Sequence, residues 1–164
     1  MTAPKHEPRW LSADELRSWI RFTAVLELLP GALDSQLQRD AGLTHFDYFV
    51  LAMLSEAPDR TLRMSDLAAR TNATLSRLSH VVSRLEDRGF VERHPSRDDR
   101  RATDASMTET GWRKLVATAP SHVETVRTHV IDALSAEQVE SLGEIAGLLL
   151  QRLDPTGRMT SSID

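Results

Sequence analysis

The sequence predicts a mainly α fold carrying one small β-hairpin, and three observations predict it. Hydroxyl residues with an acid or amide three positions on precede apolar residues spaced by three and four. Two brief helical segments follow each other across a tight turn, and one pair of strand-like runs flanks a charged loop. The 164 residues are about one ordinary domain. At that length roughly 70% of the unfolded chain's surface can be buried.

Ser12 with Glu15 is a capping box, and Leu16, Trp19, Phe22, Leu26, Leu29, Leu33 and Leu37 mark the stripe of a long first helix. Pro30 and Gly31 interrupt that stripe without changing its phase, which predicts a kink between Leu26 and Pro30. Thr44 with Asp47 starts a second helix, with Phe46, Phe49, Val50, Met53 and Leu54 turned inward, and Ala57-Pro58-Asp59 stops it. Thr61 to Met64 reads as a very short strand. Ser65 is expected to cap a brief helix holding Leu67 and Ala68 and ending near Thr71-Asn72. Thr74 caps the next helix, which runs to Arg88 with Leu78, Val81, Val82 and Leu85 on one face. Gly89 stands where a helix C-terminus takes a left-handed residue.

Phe90 to His94 and Ala102 to Met107 read as two strands about the polar loop Pro95 to Arg101, with Asp104 and Ser106 making the second strand polar. Thr108 caps a long helical stretch carrying Leu115, Val116, Ala119, Val123, Val126, Val130 and Leu134, with a bend expected at Pro120. Ser135 with Gln138 begins a last helix, to about Leu153. Leu148, Leu149 and Leu150 are consecutive there, so that helix is apolar on more than one face, which points to a partner subunit. Residues 154–164 mix Pro, Gly, Ser and Thr and read as a flexible tail.

With 40% apolar and 27% charged residues and a mean hydropathy of -0.33, the composition is that of a soluble globular protein. The longest apolar stretch, Ile145 to Leu150, is far short of the ~20 residues that span a bilayer, and residues 1–9 carry no apolar signal core. A cytoplasmic location without a membrane partner is expected. Cysteine is absent, which excludes disulfides, thiolate metal sites, cysteine nucleophiles and thiol redox sensing. A net charge of -4 does not announce a nucleic-acid binder, so the placement of the charges has to decide.

Helix, tight turn, helix, then a hairpin with a basic loop is the order of a winged helix-turn-helix, whose second helix enters the major groove. Ser76, Arg77, His80, Ser83 and Arg84 lie off the apolar stripe of that helix, and all can donate to base edges or phosphates. Arg77, near the helix N-terminus, is the candidate for bidentate readout of guanine. From Leu75 to Arg101 seven arginines stand against five acids, so this stretch is net positive within an acidic chain. Arginine at a loop tip suits the narrow, electronegative minor groove, and Asp99, two positions before Arg101, is placed to hold that guanidinium rigid.

These residues resemble the multiple antibiotic resistance regulator (MarR) family. The resemblance is carried by Met64-Ser65-Asp66-Leu67-Ala68, by Leu78, Val81-Val82 and Leu85 to Val91, by Asp98-Asp99-Arg100-Arg101-Ala102, and by Met107 to Gly111. Its distinctive part is the Asp-x-Arg wing followed at fixed distance by an apolar-Thr and a Gly, matched by Asp99, Arg101, Thr108 and Gly111. The resemblance implies a fold that is mainly α with a small β-hairpin wing, a winged helix-turn-helix with N- and C-terminal dimerisation helices that intertwine in a homodimer. On that plan residues 1–11 are an N-terminal arm, 12–43 a dimerisation helix, 44–108 the DNA-binding lobe, 109–153 the linking and C-terminal dimerisation helices, and 154–164 the tail. Ser76, Arg77, His80 and Arg84 match positions that touch DNA, and Arg101 matches the arginine inserted into the minor groove, oriented by Asp99. Thr74, Arg97 and Arg100 complete the expected double-stranded DNA interface.

The family also implies a small, aromatic or phenolic effector between the dimerisation helices and the DNA-binding lobe, with Trp19, His45, Tyr48 and Phe49 as candidate wall residues. Two departures stand out: a polar strand after the wing, which predicts a short or mobile hairpin, and Pro30 inside the first helix. His122 and His129 share a helix face but lie about 10 Å apart at 1.5 Å per residue, so they read as two solvated histidines with no metal site in one chain, the alternative being a metal held between subunits. His80 reads either as a neutral ring contacting phosphate or as a group that adds charge against DNA when protonated. No Gly-rich phosphate loop, nucleophile elbow or His-Glu-x-x-His motif is present, so no catalytic residue and no cofactor are expected. The function read here is a homodimeric transcriptional repressor of a pseudo-palindromic operator, released by a small ligand. The alternative is a winged-helix dimer that serves as a protein-interaction module without sequence-specific DNA readout.

Overall fold

Each hydroxyl residue read as a helix start, except Ser65, accepts a main-chain N–H in the computed structural model, which describes residues 7–96 and 99–159. Helix α1 (Ala13–Ala41) opens on the Ser12/Glu15 box and continues through Pro30 as one helix. It closes at Gly42, whose φ of 63° lets its N–H reach the Gln38 carbonyl at 3.0 Å. In α2 (His45–Glu56) Thr44 and Asp47 cap each other reciprocally, both hydrogen bonds being 3.0 Å. Of the five residues expected to face inward, Val50, Met53 and Leu54 are buried while Phe46 and Phe49 are half-buried, and Leu51 joins the core with them.

After the short strand β1 (Thr61–Arg63) comes α3 (Met64–Arg70), which begins earlier than read from sequence. Arg63 is its N-cap, without a side-chain hydrogen bond, and Ser65 lies inside the first turn. Buried Met64 outweighs the weaker local preference of a hydroxyl cap. Thr74 caps α4 (Leu75–Asp87), and Gly89, at φ 71°, turns the chain into β2 (Val91–Pro95), which returns as β3 (Thr103–Met107).

The hairpin is part of a three-stranded antiparallel sheet in the order β1-β3-β2, with Thr61 opposite Ser106 and Val91 opposite Met107. Leu62, Ala105, Val91 and Met107 turn into the core. The other side of β3 is polar because it is hydrogen-bonded: Ser106 Oγ lies 2.7 Å from both Thr61 Oγ1 and His94 Nε2. Asp104 sits between Arg63 and His94 in register. The polarity that predicted a weak hairpin therefore supplies cross-strand pairs on the solvent face.

Helix α5 (Glu109–His129) starts at Thr108, whose Oγ1 accepts the Gly111 N–H at 3.0 Å and donates to the Gly89 carbonyl at 2.6 Å. The predicted run to Leu134 stops short, because Val130 leaves helical geometry and a 3-10 turn, Ile131–Ala133, intervenes before α6 (Ala136–Leu153). Residues 154–159 close a turn on Asp154, whose carboxylate accepts the Met159 N–H at 2.8 Å.

The core lies where α2, α3, α4 and the sheet meet, with Leu43, Leu51, Leu54, Leu67, Leu78, Leu85 and Val91 fully buried. The chain ends are different. No residue of α6 is buried, and Ile145, Leu148 and Leu153 are 56%, 65% and 80% exposed, as are many apolar side chains on the first half of α1. Among the described residues no helix is long and apolar enough to cross a membrane.

Candidate nucleic-acid interface

Helix α4 is sharply two-sided. Leu78, Val81, Val82 and Leu85 are buried, and Ser76, Arg77, His80 and Arg84 are exposed on the other side. Thr74 accepts the Arg77 N–H at 3.2 Å, which leaves its hydroxyl proton for an outside acceptor. Arg77 lays its guanidinium over the Phe46 ring, 4.3 Å from the centroid, so its long side chain is presented from a rigid platform.

Several arginines of the basic stretch are committed within the fold. Arg84 Nη2 donates to Asp47 Oδ1 at 2.9 Å. Arg88 donates to the Gly42 carbonyl at 2.9 Å and lies over Phe90. Arg93 grips Glu86 through Nε and Nη2 at 2.9 and 2.6 Å, and these bonds hold the Glu86 carboxyl below its ordinary pKa. At the wing, Arg100 and Arg101 are exposed, and Arg97 lies outside the described residues.

Asp99, expected to orient Arg101, reaches its main chain. Its Oδ1 accepts the main-chain N–H of Arg101 at 3.0 Å, and its carbonyl accepts the Ala102 N–H at 2.8 Å. A short acidic side chain closes a turn on nearby main chain more readily than it reaches a long guanidinium. The carboxylate therefore shapes the wing tip from which Arg101 projects.

A cleft of about 860 Å³ opens beside α4, lined by Pro30, Gly31 and Asp34 of α1, by Thr44, His45 and Phe46 at the start of α2, and by Ser76, Arg77, His80 and Arg84. The four expected wall residues do not share it. His45 lines it, but Tyr48 turns to His122, with ring centroids 4.4 Å apart, and Phe49 packs against the core. Trp19 lies near Phe22 on the exposed part of α1, about 22 Å along the helix from Asp34 at 1.5 Å per residue. A helical stripe continuous in sequence is thus divided in space between the cleft and the outer end of the molecule.

His122, read as solvated, is half-buried. It faces His45 with centroids 6.4 Å apart, and its Nδ1 lies 3.3 Å from Oε1 of the buried Gln36. Gln36 in turn donates to Asp40 at 2.9 Å and Ser121 at 3.2 Å. Burial pushes both histidines below their ordinary pKa. The facing His45 adds to this at His122, and Asp34 opposes it at His45. The sequence signal for this cluster was Gln36 itself, a polar residue beside Leu37 in the buried stripe. His129 is exposed.

The helix pair, the strand pair that follows it and the exposed polar face of the second helix define a winged helix-turn-helix protein. The sequence profile of the MarR family matches residues 41–102, from the end of α1 into the wing. The chain is 46% identical to Sco3205, a MarR family transcriptional regulator from Streptomyces coelicolor solved in complex with DNA, with a TM-score of 0.87 over 91% of this chain and 93% of that one. It is 38% identical to AbsC, a MarR family transcriptional regulator from the same organism, with a TM-score of 0.83 over 89% and 98%. It is also 28% identical to the HTH-type transcriptional repressor YetL of Bacillus subtilis, over 68% of this chain and 66% of that protein. The chain belongs to the MarR family of transcriptional regulators.

Proposed function

We propose that the chain acts as a homodimeric DNA-binding repressor of a pseudo-palindromic operator, released by a small aromatic or phenolic anion. The observation that carries this reading is the two-sided α4. Its apolar face is fixed in the core, while Ser76, Arg77 and His80 stand outward near its N-terminal end. That is the arrangement by which a recognition helix presents donors to base edges in a major groove. Thr74 supplies a phosphate contact, and Arg100 and Arg101 enter the adjacent minor groove from the wing. Similarity to a regulator solved with DNA and to a named repressor supports the same role.

Two copies joined through the exposed apolar faces of α1 and α6 set two recognition helices to read half-sites about 34 Å apart. The cleft touches both the dimerisation helix α1 and the recognition helix α4, so an occupant there biases their relative placement. Arg77 on its wall favours an anion. The role is binding rather than catalysis, in the compartment that holds the DNA.

The test is fluorescence anisotropy of the full chain on duplexes from around its own gene against a scrambled duplex, from 50 to 200 mM salt. Selective binding with a steep salt slope, reversed by a member of a phenolic carboxylate panel, is the expected result. Equal, weak binding to every duplex, including duplexes selected from random DNA, replaces this reading with the protein-interaction module.

A further inference from the structure

Asp47 is a buried carboxylate that divides its two oxygens between two helices. Oδ2 accepts the Thr44 N–H at 3.0 Å and so caps its own helix α2, while Oδ1 accepts from Arg84 of α4 at 2.9 Å. A carboxylate out of water needs both partners, and an arginine bond to it has a fixed direction that a bond to water lacks. The start of α2 is itself anchored on α1, where Asp34 Oδ1 accepts the His45 N–H at 2.8 Å. Phe46, the residue between His45 and Asp47, lies under Arg77.

Helix α4 is therefore attached to α2 along its outer side at Arg77 and again at Arg84, two turns apart or about 10 Å. Its inner contacts through Leu78, Val81, Val82 and Leu85 are apolar and without direction, so they set how deep the helix sits more strictly than its roll. The directed bond to Asp47 sets the roll.

We infer that Arg84 is a positioning residue, which acts through Asp47 to fix the rotation of the recognition helix, and that it is not itself a DNA contact. The inference rests on the DNA-binding reading above and narrows its reading face to Ser76, Arg77 and His80. It contradicts the simplest expectation for an exposed arginine on such a helix, which is a phosphate contact.

The two roles differ in sign at Asp47. Removing its negative charge strengthens DNA binding on every sequence if Arg84 is thereby freed for phosphate. It weakens binding on the operator if the ion pair holds the helix. Asp47→Asn suits the test because its amide oxygen still accepts from Thr44 while its NH2 faces Arg84. Arg84→Met keeps most of the side-chain stem without the charge.

The full chain, both single variants and the double variant are measured on the operator and on a scrambled duplex from 50 to 200 mM salt, with circular dichroism showing that each is folded. The expected result is a loss of about tenfold on the operator for each single variant, with the double no worse than either, since both remove one interaction. Binding to the scrambled duplex and the salt slope stay as in the unchanged chain. The inference is overturned if Arg84→Met lowers the salt slope by about one on both duplexes, or if Asp47→Asn binds the operator as well as or better than the unchanged chain. Additive losses overturn it too. Failure of the unchanged chain to prefer any operator is a separate outcome, which removes the DNA-binding reading and this inference with it. Should Arg84→Met not fold, Asp47→Asn alone decides by its sign.

Discussion

Arg77 and Arg101 are both exposed, but their surroundings ask different things of them. Arg77 is stacked on Phe46 at the first turn of α4, so in the DNA-binding role proposed above its fork would meet a base edge with little freedom left to lose. Arg77→Ala is expected to cost about 1 to 3 kcal/mol on the operator and to relax base preference at one position, read by anisotropy on single-substituted duplexes. Arg101 projects from a wing tip held by Asp99, and Arg101→Ala should weaken binding on all sequences and lower the salt slope by about one. A second residue-scale effect comes from His45 and His122, which are held below their ordinary pKa chiefly by burial, with Tyr48, Gln36, Asp34 and Asp40 around them. The unfolded chain takes up these protons first as pH falls, so the stability they contribute is complete above about 6.5 and is lost below it. Thermal denaturation should show Tm falling between pH 7 and 5.5, with a shallower fall in His122→Gln, and parallel curves for the two proteins would remove the pair from this role. The exposed polar face of α4 was legible in the sequence because amphipathic spacing is local. The partners of Arg84, Arg93 and His122 were not, because Asp47, Glu86 and Gln36 belong to other elements or turns, and spacing carries no information about contacts across the fold.

At the scale of elements, the junction from β3 into α5 has the least tolerance. A Cβ built at Gly111 would lie 2.2 Å from the Phe90 carbonyl oxygen and 3.0 Å from the Met107 side chain. The first of these is main chain, held in place by the Thr108 N–H at 3.0 Å, so it cannot swing aside as a side chain would. Gly111 is thus required for close approach rather than for an unusual backbone angle. Gly111→Ala should destabilise by at least the about 1 to 3 kcal/mol typical of overpacking, a Tm drop of several degrees for a domain of this size. A Tm unchanged in that variant would mean that α5 enters the sheet differently. This also gives a physical reason for the Thr-x-x-Gly spacing after the wing, in which Thr108 caps the helix and ties it to Gly89 while Gly111 lets it approach. Apart from that of α3, the helix starts were legible from such caps. The pairing of β1 with β3 was not, since Thr61 meets Ser106 across 45 positions and the only local trace was an unusually polar strand.

For the molecule as a whole, the distribution of exposed apolar surface decides the assembly. Leu16, Trp19, Ile20, Phe22, Val25, Leu26 and Leu28 point from several sides of α1, and Leu142, Ile145, Leu148, Leu149 and Leu153 do so from α6. A helix left uncovered on more than one side has lost most of the burial that would stabilise it alone, because helical stability in proteins comes chiefly from packing an apolar face. Fully burying one leucine or isoleucine is worth about 1.5 to 3 kcal/mol, so covering several of these residues gains a sum comparable with the net stability of a small domain. With both α1 and α6 apolar, the proposed cover is the same pair of helices from a second copy, which would also set the distance between the two α4 faces. Ile145 and Leu149 are one turn apart on the same side of α6, so glutamates at both positions place two like charges in that interface with no partner. The double variant Ile145→Glu with Leu149→Glu should run in light scattering at the 18.4 kDa of one chain. It should bind an operator no better than a single half-site, because the second recognition helix is no longer held at a fixed spacing. A dimer that survives both substitutions would place the interface on α1 alone.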